Sequence, residues 1–237
     1  MAEKFLPYDG SIVLQETPYW CAPGSSQIVL TARGIDVPEA QLARELGTTT
    51  NGTDWIGQVT SVLARRSGQP YVTREIPNDP PTQAQKDLLR SDITKSIDGG
   101  NGVVANIVAP PGNQPPGYPA WQTIYHYIAI VGYDDAQGVY VADPANFSGI
   151  HNYWLTWDKI ASLIAPKGYS CAPTGAPPAP AAPAEAAKSL ADVELSKKFP
   201  SRSKYRASDE PVGTLADFIL WIDARIHEQS VERTKAA

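Results

Sequence analysis

Residues 172–187 read APTGAPPAPAAPAEAA, with eight alanines and five prolines. Proline locks φ and removes a backbone donor, so such a stretch joins neither a helix interior nor a central strand. It is expected to be a semi-rigid spacer. The spacer divides the 237 residues into a patterned region, 1–171, and a tail of mixed composition, 188–237. Any sizeable core must therefore form within 1–171, a length that suits one ordinary domain. Apolar residues make up 42% of the chain, enough to build that core and too many for global disorder.

Within 1–171 the patterning changes along the chain. A helix is expected from Cys21 to Arg33, with Pro23 in its first turn and Gly34 ending it. Pro38–Leu46, Trp55–Arg66 (capped by Thr53 or Asp54) and Thr82–Ile97 carry apolar residues at helical spacing. Strands follow: Val103–Ala109, Ile124–Tyr133 and Val139–Ala142, the last two joined by the turn Asp134–Gly138 as a hairpin. Helices first and antiparallel strands second imply an α+β fold rather than a doubly wound sheet.

The charge balance excludes several classes of function. Twenty basic residues against 25 acidic ones give −5, with no Lys/Arg-rich run, so a nucleic-acid partner is not expected. No stretch approaches the roughly 20 apolar residues of a membrane span. The N-terminus lacks an apolar block of signal-peptide length, so synthesis in a cytoplasm is expected. Three scattered histidines and two distant cysteines offer no ligand spacing for a metal. Neither a phosphate loop nor a dinucleotide fingerprint is present, so no cofactor is expected.

Cys21 carries the most specific chemical signal, because the expected helix would place its sulfur at the positive end of the helix dipole. Backbone N–H groups and the dipole favour the thiolate there, and the thiolate is the nucleophilic form. A buried structural thiol explains a lone cysteine equally well, and a bridge to Cys171 is the other use of the pair. A base is needed, and the histidines are His126, His151 and His227. His126 opens the run HYIAIVGYD, and the hairpin returns the chain to Asp143 in VYVADPA, where a carboxylate could fix the histidine's tautomer. Gln15, six residues before Cys21, could donate to an oxyanion together with the Cys21 N–H. Trp20, Trp55, Trp121 and Tyr125 flank these residues in sequence and could wall a substrate cleft, although large rings more often fill a core. Asn106, Asp54 and the Pro-rich loop 110–119 are further candidates for its border.

The run Q-x-x-x-x-W-C-A-P-G-S-S-Q, then HYIAIVGYD and V-x-V-A-D-P, resembles the bacteriocin-processing, double-glycine cysteine peptidases, over about residues 10–165. The resemblance implies a papain-like fold and a site ordered Gln15, Cys21, His126, Asp143. The spacer and the tail sequence FPSRSKYRASDEPV and TLADFILWIDARIHE are similar to those of peptidase modules in endolysins of mycobacterial phages. That context implies a peptidoglycan stem or cross-bridge peptide as substrate, and action at the host wall after release from the cytoplasm. Two alternatives stand beside it: trimming of a leader peptide after a Gly-Gly pair, and a non-catalytic wall-binding or virion module.

The tail is expected to hold a helix over 214–233, with Leu215, Phe218, Ile219, Ile222 and Ile226 as an apolar stripe. One helix cannot bury such a stripe on itself, so docking on the first domain or self-association is expected.

Overall fold

The computed structural model describes residues 3–12 and 14–174, with two short segments, 198–200 and 211–214. The chain divides into two units, Met1–Pro178 and Ala179–Ala237. In the second unit, strands Lys198–Pro200 and Pro211–Thr214 pair antiparallel. Thr214, expected to open a helix, instead ends that strand, and the rest of the expected helix lies outside the described residues.

The first unit contains helices α1 (Cys21–Thr31), α2 (Glu39–Leu46), α3 (Ile56–Ser67), α4 (Gln83–Asp98) and α5 (Trp157–Ile164). Its strands are β1 (Glu3–Phe5), β2 (Val72–Glu75), β3 (Val103–Ala109), β4 (Ile124–Asp134), β5 (Gly138–Phe147), β6 (Ile150–Leu155) and β7 (Gly168–Cys171). They form one antiparallel sheet in the order β2-β7-β3-β4-β5-β6, with β1 paired to the end of β4. The class is α+β, with helices and strands more interleaved than the sequence suggests.

Both faces of the sheet are covered, which explains why β4 reads as a near-continuous apolar run. Tyr127, Ala129 and Val131 face one core with Ile28 and Leu30 of α1, Leu42 of α2 and Val59 and Leu63 of α3. Ile128 and Ile130 face a second core with Ile93 and Ile97 of α4 and Ile160 and Ile164 of α5. Every residue of α1 from Ala22 to Leu30 is buried, so this helix is central. Its buried polar groups find local acceptors: Ser26 Oγ donates to Ala22 O at 2.7 Å and Gln27 Nε2 to Val37 O at 3.1 Å.

The cap of α3 differs from expectation. Trp55 occupies that position, and its N–H donates to Gln58 Oε1 at 2.9 Å, whereas Thr53 Oγ1 is paired with Thr48 Oγ1. Thr82 caps α4 through a reciprocal bond with Gln85, as a capping box should. Strand β5 runs five residues beyond its expected end at Ala142, because after an irregular stretch its pairing with β6 resumes at Phe147 opposite Ile150. Pro144 is tolerated in that stretch because the regular ladder has lapsed there.

Candidate active site

Cys21 is the first residue of α1, and Trp20 at the cap makes no side-chain bond to the first turn. The helix's leading amides are therefore left to the thiol and to whatever lies beside it. Cys21 is partly exposed and lies in a hollow with His126, Tyr127, Asn106 and Thr53. Cys171 is fully buried in β7 and both thiols are free, so the bridge between them is not formed.

His126 sits at the head of β4, between exposed Tyr125 and buried Tyr127. It reaches Asp143 because of a register shift. At the turn end the β4–β5 ladder pairs Asp134 with Gly138 and Gly132 with Tyr140, then shifts by one residue so that Ile130 pairs with Val141 and Ala129 with Ala142. Continuing this shifted register places Asp143 opposite Ile128, on the face that His126 shares. Without the bulge at Val131, Asp143 would fall on the opposite face, since a one-residue slip inverts every side chain. The bulge thus creates the His126–Asp143 pair. Gly132 beside it has no room for a side chain: a Cβ would lie 2.6 Å from Phe5 Cδ1.

The pair is buried, and His126 Nε2 donates to Asp143 Oδ1 at 2.8 Å. Asp143 Oδ1 also accepts the Ala145 N–H at 2.9 Å, and its Oδ2 accepts Tyr118 OH at 2.6 Å and Tyr153 OH at 2.5 Å. Four donors thus hold one carboxylate, which stays ionised: burial raises its pKa, but the His126 charge and these hydrogen bonds outweigh that. With Nε2 committed to Asp143, His126 offers Nδ1 to the sulfur. Burial opposes charge on His126, yet the Asp143 carboxylate and Cys21 lift its pKa to about 10. For Cys21, burial acts upward, but hydrogen bonds from His126, Tyr127 N–H and Ala22 N–H, with the His126 charge, bring the net shift below the ordinary thiol value. The two shifts together favour a thiolate–imidazolium pair. Cys171 shows the opposite case, with burial and then the Asp92 charge driving its thiol pKa up.

Gln15 lies beside the first turn of α1, its Cβ 3.5 Å from where a Gly24 Cβ would sit. Its N–H donates to Pro144 O at 2.7 Å, tying this loop to the strand that carries Asp143. One Nε2 hydrogen goes to Thr17 O at 2.6 Å, and Oε1 has no partner among the described residues. Gln15 lines a different depression, with Ala145 and Phe147, rather than the hollow of Cys21. Of the expected cleft aromatics, Tyr125 lines that hollow and Trp55 its extension. Trp20 packs edge-on against Tyr19, Trp121 is 78% exposed, and neither lines the cleft. Asn106 and Asp54 do border it, whereas the loop 110–119 contributes Tyr118 to Asp143 instead. His151 lies on β6 with Nδ1 unpartnered among the described residues, and His227 is outside them.

Sequence reading gave no warning of Glu39, at the start of α2. Its buried carboxylate accepts the Glu16 N–H on Oε2 at 3.0 Å, bracing the Gln15 loop from below, while Oε1 has no partner among the described residues. Burial raises its pKa from 4.5 to about 7, partly offset by the Glu16 N–H. Because the folded-state pKa is the higher one, the folded chain holds this proton more tightly. The resulting stability is present at pH below 4.5 and is lost as pH rises through about 7. Thermal melts should therefore show the native chain losing stability between pH 5 and 8 relative to Glu39→Gln. Parallel curves would show that Glu39 bears no such burial penalty.

Among the described residues no group of His, Cys, Asp and Glu could hold a metal ion, and no helix is long and apolar enough to cross a membrane. Three similar solved structures are a protein described as a C39-like peptidase from Bacillus anthracis (15% identity; 72% of this chain, 98% of that chain; TM-score 0.46), a double-glycine-motif protease from an AMS/PCAT transporter in complex with a leader peptide (12%; 71% and 96%; 0.45) and the peptidase domain of Streptococcus ComA, a bifunctional ABC transporter of a quorum-sensing pathway (18%; 71% and 97%; 0.43). A search of curated proteins found no match. The Peptidase_C39-like family model matches residues 9–164, about two thirds of the sequence and the whole span from the Gln15 loop to α5. By that match the chain belongs to the Peptidase_C39-like family of cysteine peptidases.

Proposed function

We propose that this chain is the peptidase module of a phage endolysin and hydrolyses a peptide bond of bacterial cell-wall peptidoglycan, with Cys21 as nucleophile, His126 as acid and base, Asp143 as its orienting carboxylate and Gln15 as an oxyanion donor. The observation that carries the chemistry is the coupling of a helix-terminal thiol to a histidine whose other nitrogen is bound to a buried carboxylate. The Cys21 thiolate adds to the scissile carbonyl carbon, and the oxygen takes the negative charge, facing the Cys21 N–H and Gln15 Nε2. As the tetrahedral intermediate collapses, the C–N bond breaks and the imidazolium gives its Nδ1 proton to the departing amine. The neutral imidazole then takes a proton from water, whose oxygen attacks the thioester carbonyl. Collapse of this second intermediate releases the carboxylic acid and returns the thiolate, with His126 protonated again.

The choice of a wall substrate is supported by the resemblance of the spacer and tail to endolysin sequences. Incubation with purified peptidoglycan should release new amino groups and soluble muropeptides, which amine labelling and mass spectrometry would read. Cleavage of Gly-Gly leader peptides with none of the wall would replace the wall reading. Stoichiometric wall binding without new amines would replace the enzymatic one.

A further inference from the structure

Asp54, Asn106 and Lys167 line both the hollow that holds Cys21 and the next hollow, bounded by Trp55 and Glu75, so the two form one groove. Asn106 is only 8% exposed, yet its amide borders this groove. Its orientation is set by a relay. Tyr127 OH donates its one hydrogen to Thr53 O at 3.1 Å, so the Tyr127 hydroxyl oxygen can only accept from Asn106, whose Nδ2 lies 3.1 Å from it. Asn106 Oδ1 is thereby left as an acceptor with no hydrogen-bond partner among the described residues. Asp54 and Lys167 line the same two hollows as Asn106, opposite charges that form no ion pair with any described residue. Exposed rings complete the groove. Trp55 is fixed by its Nε1–H to Glu75 Oε1 at 3.0 Å, and Tyr125 lies 5.7 Å below Lys167 Nζ.

Glu75 keeps the Trp55 Nε1–H, but an apolar substrate side chain seated here would strip water from Asp54 and Lys167 without pairing either, which is unfavourable. A singly charged side chain would leave one of them stranded. We infer that the groove binds a substrate residue bearing both an ammonium group and a carboxylate, the ammonium against Asp54 and Asn106 Oδ1 and the carboxylate against Lys167. This deepens the proposed function and rests on it in one respect: the groove counts as a substrate site because it opens onto Cys21.

The test is calorimetric binding to the full chain carrying Cys21→Ser, with three tripeptides that differ only in one side chain. One side chain ends in an ammonium and a carboxylate (a 2,6-diaminoheptanedioic acid residue), one in an ammonium (lysine), and one is neutral (acetyl-lysine). The first should bind about tenfold more tightly than lysine and more tightly still than the neutral peptide, since a charge-assisted bond is worth about that much. Asp54→Asn and Lys167→Gln, both at partly or fully exposed positions and so compatible with folding, should each remove about tenfold of the preference. Equal affinity for all three peptides, no binding of any, or an order unchanged in both variants would overturn the inference. Since Cys21→Ser performs no thiol chemistry, a failure here is distinct from a failure of the hydrolytic mechanism, which alkylation and wall digestion read separately.

Discussion

Cys21→Ala should lower hydrolysis by about a thousandfold or more while leaving the fold intact, because the reaction loses its nucleophile and keeps only binding and oxyanion stabilisation. The stability half of that expectation follows from position. Cys21 is the first, partly exposed residue of α1 and packs only against the margin of one core, so truncating it removes a single small group there. The change in unfolding free energy should stay within about 1 kcal/mol. Cys171→Ala is the useful contrast. That thiol is fully buried among core residues, so its loss should cost stability and spare catalysis. Activity retained by Cys21→Ala, or lost only in Cys171→Ala, would reverse the assignment of the two thiols.

The second large effect is at Asp143, and two substitutions there separate structure from chemistry. Asp143→Ala removes the acceptor for His126 Nε2–H, Ala145 N–H and two tyrosine hydroxyls in a pocket without solvent access. Breaking a buried ionic pair and its hydrogen bonds costs about 3–5 kcal/mol, so this variant should be severely destabilised as well as inactive. Asp143→Asn can still accept from His126 with its carbonyl oxygen, so the fold should survive. What it loses is the negative charge that holds the His126 imidazolium up to about pH 10. The alkaline limb of the rate profile should therefore move toward neutrality, with a smaller fall in rate at pH 7 than alanine gives. An unmoved alkaline limb would mean that Asp143 supports the strand alone.

The residues that made the site legible in sequence are those whose roles follow from local pattern. Cys21 opens a helix whose start is marked by Pro23 in the first turn, and β3 is a β-branched run whose observed ends, Val103 and Ala109, match expectation. The pairing of His126 with Asp143 could be suspected from the hairpin but not established, because it depends on a bulge at Val131 that no turn residue announces. Tyr118 and Tyr153 carry no local signal as partners of Asp143: Tyr118 arrives from a proline-rich loop 25 residues away, and Tyr153 lies on β6, whose pairing with β5 is irregular between Ala142 and Phe147. Helix α5 did carry a readable signal. Thr156 caps it through the Lys159 N–H, and Ile160, Leu163 and Ile164 recur at helical spacing. The short strands β1, β2 and β7 have too few residues for any period to show, and pairing alone defines them.

The most direct test of the account is the rate of iodoacetamide alkylation of the native chain across pH, with peptide mapping of both cysteines. A thiolate held by His126 and the first-turn amides should label rapidly well below pH 8.5, where a free thiol is mostly protonated. In His126→Ala that labelling should revert to the profile of a free thiol, and Cys171 should remain unlabelled throughout. Slow alkylation of Cys21 near neutral pH, or a profile indifferent to His126, would contradict the thiolate–imidazolium pair on which the hydrolytic mechanism depends.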